Sequence, residues 1–205
     1  MVKVLFIYKK IMNYKINILL MLMLVLKTDL NAQVFDGYTL FSPTGGGPSG
    51  ATGGTSYLYD NDYNIIHTWI HSRGAASMPY LLPDSSIIYP FRVESPTMSA
   101  GGVGGGVAHI AWDGTILWEY IISNQTYQHH HDVQPLPNGN ILVIAWEKKT
   151  ATEAYSMGRA SLDNPLNEMW STAILELEMT PPNGANIVWE WHLWDHLVQD
   201  SDQSL

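Results

Sequence analysis

Residues 113–120 read DGTILWEY, and two other stretches repeat that pattern: DYNIIHTW at 62–69, offset by 51 residues, and NIVWEW at 186–191, offset by 71. Ile65, Ile116 and Ile187 fall on one another. A second element recurs between them, LPDSSII at 82–88 and LPNGNIL at 136–142, 54 residues apart. Alternating or β-branched apolar runs around Asp113-Gly114 and Asn138-Gly139 read as strands joined by two-residue hairpins, whose central positions both need φ > 0. Each repeat is then a strand pair, a polar loop and another strand pair. A period near 50 residues suits a four-stranded propeller blade better than a shorter solenoid unit. The expected fold is therefore all-β, a propeller-like array of four-stranded blades. Residues 33–205 hold about three such units, whereas closed propellers take four to eight. The array is accordingly expected to be an incomplete ring, its third unit stopping after WHLWDHLVQDSDQSL (191–205) before a second strand pair and leaving an unpaired sheet edge.

The N-terminal region belongs to a different class of segment. Lys9, Lys10 and Lys15 precede an apolar run from Ile16 to Leu26, and Leu30-Asn31-Ala32 gives a small-residue ending, so residues 1–32 read as a secretory signal peptide, with Met12 as an alternative start. The apolar run is shorter than the roughly 20 residues of a bilayer crossing. Export to the periplasm or the medium is expected, with no membrane attachment after cleavage. There is no Cys, so stability must come from burial and sheet hydrogen bonds, and neither a thiol nucleophile nor a thiolate metal site is possible. Removing residues 1–32 leaves 5 basic side chains against 18 acidic ones, a net charge of −13. Such a field repels nucleic acid and attracts no anion in general, so an anionic substrate needs a local cluster of donors.

Two glycine-rich stretches, GGGPSGATGG (45–54) and GGVGGG (101–106), precede repeat strands. They read as flexible seams or places of close backbone approach. Neither carries a G-K-[ST] ending, so neither reads as a phosphate loop. Residues 151–168 are interrupted by Gly158 and Pro165 and read as an insertion between strands.

The residues with chemistry gather in two places. His129-His130-His131-Asp132 stands just before the LPNGNIL hairpin, where the aligned positions of the preceding repeat read Ala75-Ala76-Ser77-Met78. If extended, the run alternates, His129 and His131 to one side and His130 and Asp132 to the other. A carboxylate that accepts from one imidazole nitrogen orients the ring and leaves the other nitrogen for acid, base or nucleophile work. A solvated polar loop is the plain alternative. The second place is VWEWHLWDH (188–196), where Trp189, Trp191 and Trp194 interleave with His192, Asp195 and His196. Trp189 and Trp191 suit a blade interface, while Trp194 and His196 suit stacking of a planar ligand. His192 and His196 share a helical metal-ligand spacing, but the local pattern is strand-like and no Glu follows the first His, so no metal is expected. Arg73, Arg92 and Arg159 are the only arginines, each able in principle to orient an anion.

Taken in order, GTILWEY, HHHDVQPLPNGNILVIAW and IVWEWHLWDHLVQD resemble the arylsulfotransferase family of exported bacterial enzymes, over most of residues 55–200. That resemblance implies a six-bladed propeller with its site at the central channel. It also implies transfer of a sulfuryl group from an aryl sulfate to a phenol through a sulfohistidine, with no cofactor and no nucleotide sulfate donor. His130, His131 and Asp132 match the family's early His-His-Asp element, on the sulfate-stabilising side of the site. His129, Trp194 and His196, singled out by residue type and position and not by that match, are expected to contact the substrate. The family's covalent histidine, in a His-x-Asn element, and its downstream arginine have no counterpart in residues 33–205, so the chain resembles the N-terminal part of such an enzyme.

Overall fold

Eleven antiparallel strands make up most of what the computed structural model describes, which is residues 14–15, 35–43 and 52–197. The leader expected over residues 1–32 lies outside these residues except for Tyr14 and Lys15, as does most of the first glycine-rich stretch. The chain divides into two compact units, Met1–Asp36 and Gly37–Leu205, and every strand belongs to the second. Among the described residues no helix is long and apolar enough to cross a membrane.

The strands form three sheets in chain order. The first is β1 (Thr39–Phe41), β2 (Thr52–Tyr59) and β3 (Ile65–Arg73). The second is β4 (Tyr80–Leu81), β5 (Ile87–Arg92), β6 (Gly105–Ile110) and β7 (Ile116–Ile121). The third is β8 (Tyr127–Pro135), β9 (Ile141–Thr150), β10 (Glu168–Thr180) and β11 (Gly184–His192). Each is a simple meander, as expected of propeller-like blades. The expected framing of the repeats, however, is corrected. The stretches around Ile65, Ile116 and Ile187 form the last strand of each sheet, and the LPDSSII and LPNGNIL turns join the first strand to the second. The third sheet therefore has all four strands, and it is the first that shows three among the described residues.

The hairpin turns also differ from the expected two-residue form. Gly114 and Gly139 take φ near 89°, while Asp113 and Asn138 are not left-handed. Ala111 N–H donates to Thr115 and Gly114 N–H to Ala111, and Leu136, Gly139 and Asn140 repeat that arrangement. These are three-residue loops with the third residue left-handed, as in a type I turn followed by a one-residue bulge. In the second loop Pro137 leads, its fixed negative φ suiting the first central position of a type I turn. The same bonds recur at Leu82–Ser86 and Asp60–Asn64, where Ser85 (φ 68°) and Tyr63 (φ 63°) occupy the glycine's place.

Alternation along the strands builds two core layers. Ile87, Tyr89, Phe91, Ala108 and Ile110 of the second sheet meet Leu58 and Trp69 of the first. On its other face Ile88, Val107 and Trp118 meet Val143, Ala145 and Leu175 of the third. Strand β5, apolar on both faces, is the middle of the molecule. Between β9 and β10 the insertion holds one short helix, α1 (Ala151–Ser156), started by a reciprocal capping box in which Thr150 and Glu153 satisfy each other's backbone N–H groups.

Candidate functional site

The site grows from the pairing of β8 with β9. Tyr127, Gln128 and His129 face Glu147, Trp146 and Ala145, and pairing resumes only at Val133 opposite Val143. Three residues, His130, His131 and Asp132, thus stand against one, Ile144, and are pushed out of the ladder as a bulge. His131 sits at φ 49°, a left-handed conformation uncommon for a residue with a Cβ. The expected alternation of the four side chains is overturned by this bulge.

What anchors the bulge is the pair of residues before it. Gln128 and His129 are both fully buried. Gln128 Oε1 accepts from Ser123 Oγ (2.8 Å), from Thr97 N–H (3.0 Å) and from Thr97 Oγ1 (3.1 Å), while its Nε2 donates to the Gly104 carbonyl (3.0 Å). Gly105 N–H donates to His129 Nδ1 (3.3 Å), which leaves the proton on Nε2, facing the Asp132 carbonyl at 3.4 Å. Burial holds the His129 pKa down to about 4, so the ring is neutral. His129 was expected to touch substrate; with no exposed surface and both nitrogens occupied, it instead props the bulge from beneath.

The second glycine-rich stretch is the other wall. A Cβ on Gly102 would collide with both the His130 and His131 rings, and one on Gly104 with the His129 ring. Gly102 and Gly104 are therefore points of close backbone approach, and the histidines are what they approach. Above this floor, His130 stacks on Trp146 (centroids 3.9 Å apart, 23°) and meets His131 edge-on at 4.7 Å. Burial, then the neighbouring His131, lowers the His130 pKa. The Asp132 carboxylate accepts from Ser77 Oγ (3.2 Å), and its charge adds to burial in raising the Tyr80 pKa. Tyr80, His131, Asp132, Gln134, Leu142 and Ile174 line a cavity of about 280 Å³.

Ser77 and Asp132, from stretches that the repeat aligns, are thus neighbours in space. Of the residues singled out in the sequence, His130, His131 and Asp132 come together, with His129 behind them. Trp194 and His196 go elsewhere. They lie on a 3-10 turn, Leu193–His196, where His196 stacks on Trp191 (5.0 Å, 11°) and Trp194 lines a different cavity of about 360 Å³ with Arg159 and Trp170. His192 is tied to Glu147, Nδ1 to Oε2 at 3.1 Å. Arg73 pairs with Glu119 (3.2 Å) and lies over the Phe91 ring. Among the described residues no three His, Asp or Glu side chains converge as a metal-binding group. Sequence reasoning missed Gln128, Trp146, Ser77 and Tyr80, while Gly102 lies in the stretch it read as a seam or a close backbone approach. Only Ser77 left a signal, through the 54-residue offset.

The arrangement offers the His131 imidazole, a carboxylate and a phenol around a small cavity, with a second imidazole of suppressed basicity, His130, set edge-on beside the first. It can present imidazole N–H donors to an oxyanion. No protein-family model, curated protein or solved structure matches this chain.

Proposed function

We propose that this chain is an exported arylsulfotransferase-like protein in which the His130-His131-Asp132 bulge holds the sulfuryl group of an aryl sulfate. The observation that carries the reading is the bulge itself. Two adjacent imidazoles leave an otherwise regular ladder, at φ 49° for His131, and His131 lines a cavity beside the Asp132 carboxylate. A strained backbone kept in place by a buried Gln-His pair is costly, and such cost collects at working sites. Sulfuryl transfer asks for donors around the equatorial oxygens and a proton for the departing phenoxide. His131 and His130 supply the donors, and the Asp132 carboxylate lines the same cavity as His131. In the family it resembles, a histidine nitrogen bonds to sulfur as the aryl oxygen leaves, and a phenol then takes the group with loss of its proton to a base. That covalent histidine is not among residues 33–205, so this chain's part is binding and charge stabilisation.

The test is transfer from 4-nitrophenyl sulfate to phenol, together with calorimetric binding of 4-nitrophenyl sulfate. Both are run on the 205-residue chain and on a form extended through any downstream reading frame. His131→Ala is expected to abolish turnover in the competent form and to weaken binding at least tenfold in either, with the β circular dichroism unchanged. Unaltered binding in the folded variant removes His131 from the mechanism. A second reading, a non-catalytic module for a carbohydrate or aromatic ligand, is favoured by the other cavity. There the Trp170 Nε1 has no hydrogen-bond partner and Trp194 lies beneath Lys149 Nζ at 5.2 Å. It predicts binding that depends on Trp194 and is indifferent to His131.

A further inference from the structure

The chain passes from the second sheet to the third through a filled socket. Beyond β7, Ile122 N–H donates to the Gly105 carbonyl (2.8 Å), and the turn that follows leads into β8. Gln128 then enters the gap between Thr97, Gly104 and Ser123, where its carboxamide oxygen accepts from the first and last and its nitrogen donates to the second. Next to it the backbone closes the joint. His129 N–H donates to the Ile122 carbonyl (2.6 Å) and Gly104 N–H to the His129 carbonyl (2.9 Å). Ile122 and Gln128 are 2% and 0% exposed.

The third sheet builds the same socket. Ala173 faces His192 as Gly106 faces Ile121, so Ser171 stands where Gly104 does, and the 71-residue offset puts Leu193 and Trp194 at Ile122 and Ser123. Ser171, Leu193 and Trp194, with Trp170 and Arg159, line the cavity of about 360 Å³. The insertion forms its outer wall. Ala154 of α1 is fully buried, Gly158 (φ 89°) ends the helix, and Arg159 N–H donates back to the Ala154 carbonyl (3.0 Å). Trp170 Nε1 is buried without a hydrogen-bond partner, although the Trp69 and Trp118 indoles donate to the Ala111 and Gly184 carbonyls (3.0 and 2.6 Å). A buried N–H without an acceptor is costly and calls for one. Leu193, at the place of Ile122, is 38% exposed.

The offset that brings Ile116 to Ile187 also brings Gln128 to Gln199 and His129 to Asp200, in residues 198–205, which lie outside the described ones. We infer that residues 198–203 seat between the insertion and the Leu193–His196 turn as residues 127–132 seat on the second sheet, with the Gln199 carboxamide in the cavity. Its oxygen is the acceptor for the Trp170 indole, and an uncharged amide suits a buried gap. Charge agrees with this occupant. Arg159, its Nε bonded to the Ser161 carbonyl (3.0 Å), pairs with no carboxylate among the described residues, and the segment carries Asp200 and Asp202. The aligned corner reads Asp200-Ser201-Asp202-Gln203 in place of His129-His130-His131-Asp132, so it repeats the scaffold and not the imidazole pair. The inference stands on packing and is independent of sulfuryl transfer. A cavity that holds Gln199 has no room for the carbohydrate or aromatic ligand of the second reading.

Hydrogen exchange of the indole protons, followed by nuclear magnetic resonance on the 205-residue chain, decides between the two occupants. Trp170 is identified by the signal that Trp170→Phe removes. Gln199→Ala is expected to speed its exchange about tenfold or more and to leave that of Trp118 unchanged. Because the chain has no Cys, a disulfide makes a second measurement. Ser171→Cys with Asp200→Cys, at the places of Gly104 and His129, is expected to close about tenfold faster than Ser171→Cys with Ser204→Cys. Should Ser171→Cys lose the β circular dichroism, Met157→Cys, also on the cavity wall, makes the same comparison. Trp170 exchange indifferent to Gln199→Ala overturns the inference, as do equal rates of disulfide closure. Exchange slowed by added 2-naphthol or cellobiose, with Gln199→Ala without effect, overturns it in favour of the second reading.

Discussion

Imidazoles with suppressed basicity sit at several depths in this molecule, and their surroundings explain why. His71 is buried against the Tyr89 ring (3.7 Å) with Ser56 Oγ on its Nε2 (2.7 Å), His109 takes the Ser86 hydroxyl (2.7 Å), and His129 lies under the bulge. Burial lowers all three, His71 and His129 to about 4. Because the folded-state pKa lies below the ordinary 6.5, the unfolded chain takes up protons first as pH falls. Stability from these groups is complete above about pH 6.5 and is lost progressively toward pH 4. Thermal melts between pH 7.5 and 4.5 are expected to show a midpoint that falls steadily over this window, and His129→Gln to make the fall shallower. A midpoint flat over the window, or an unchanged slope in the variant, contradicts a neutral buried His129. The sequence exposed this cluster through composition, since three histidines interrupt a repeat that elsewhere reads Ala-Ala-Ser-Met. It hid the burial of His129 and the left-handed His131, because both follow from Ile144 and residues 101–106, which are remote in the chain.

Hairpins were legible as elements and misread as turns. Asp-Gly and Asn-Gly between apolar runs located the β6–β7 and β8–β9 connections, but loop length depends on where the ladder closes, and Ala111 and Leu136 close it one residue wider. The same closure at Asp60–Asn64 forces Tyr63 to φ 63°. A left-handed conformation costs a residue with a Cβ roughly 1–2 kcal/mol, and the Tyr63 side chain is 87% exposed and returns little. Tyr63→Gly is therefore expected to raise unfolding free energy by about 1 kcal/mol, less what glycine adds to unfolded-state entropy. Urea denaturation checks it, and destabilisation would mean that Tyr63 has a contact role instead. Glycines 102 and 104 follow another logic. Their local sequence suggested a seam or a close backbone approach, and only the histidine rings lying against them show what the missing side chains make room for.

For the molecule as a whole, the joints between sheets hold the structure together. Trp118 fills the core between the second and third sheets and bonds to Gly184. Its replacement by Ala is expected to cost about 3–5 kcal/mol. Trp189→Ala, made at the equivalent but exposed position, is expected to cost under about 1 kcal/mol. Equal losses in denaturant titration would contradict the burial of the first tryptophan and the exposure of the second. By itself the sequence determined the all-β class, the number and spacing of the repeats, and the grouping of His130, His131 and Asp132. These rest on local periodicity, turn chemistry and self-similarity, which are readable along one strand at a time. The tertiary structure alone decided where each sheet begins, that three residues of β8 face one of β9, and that Trp194 and His196 turn to a different cavity. Those outcomes depend on which backbone groups pair across long sequence separations, and a shift of one partner moves every side chain that follows.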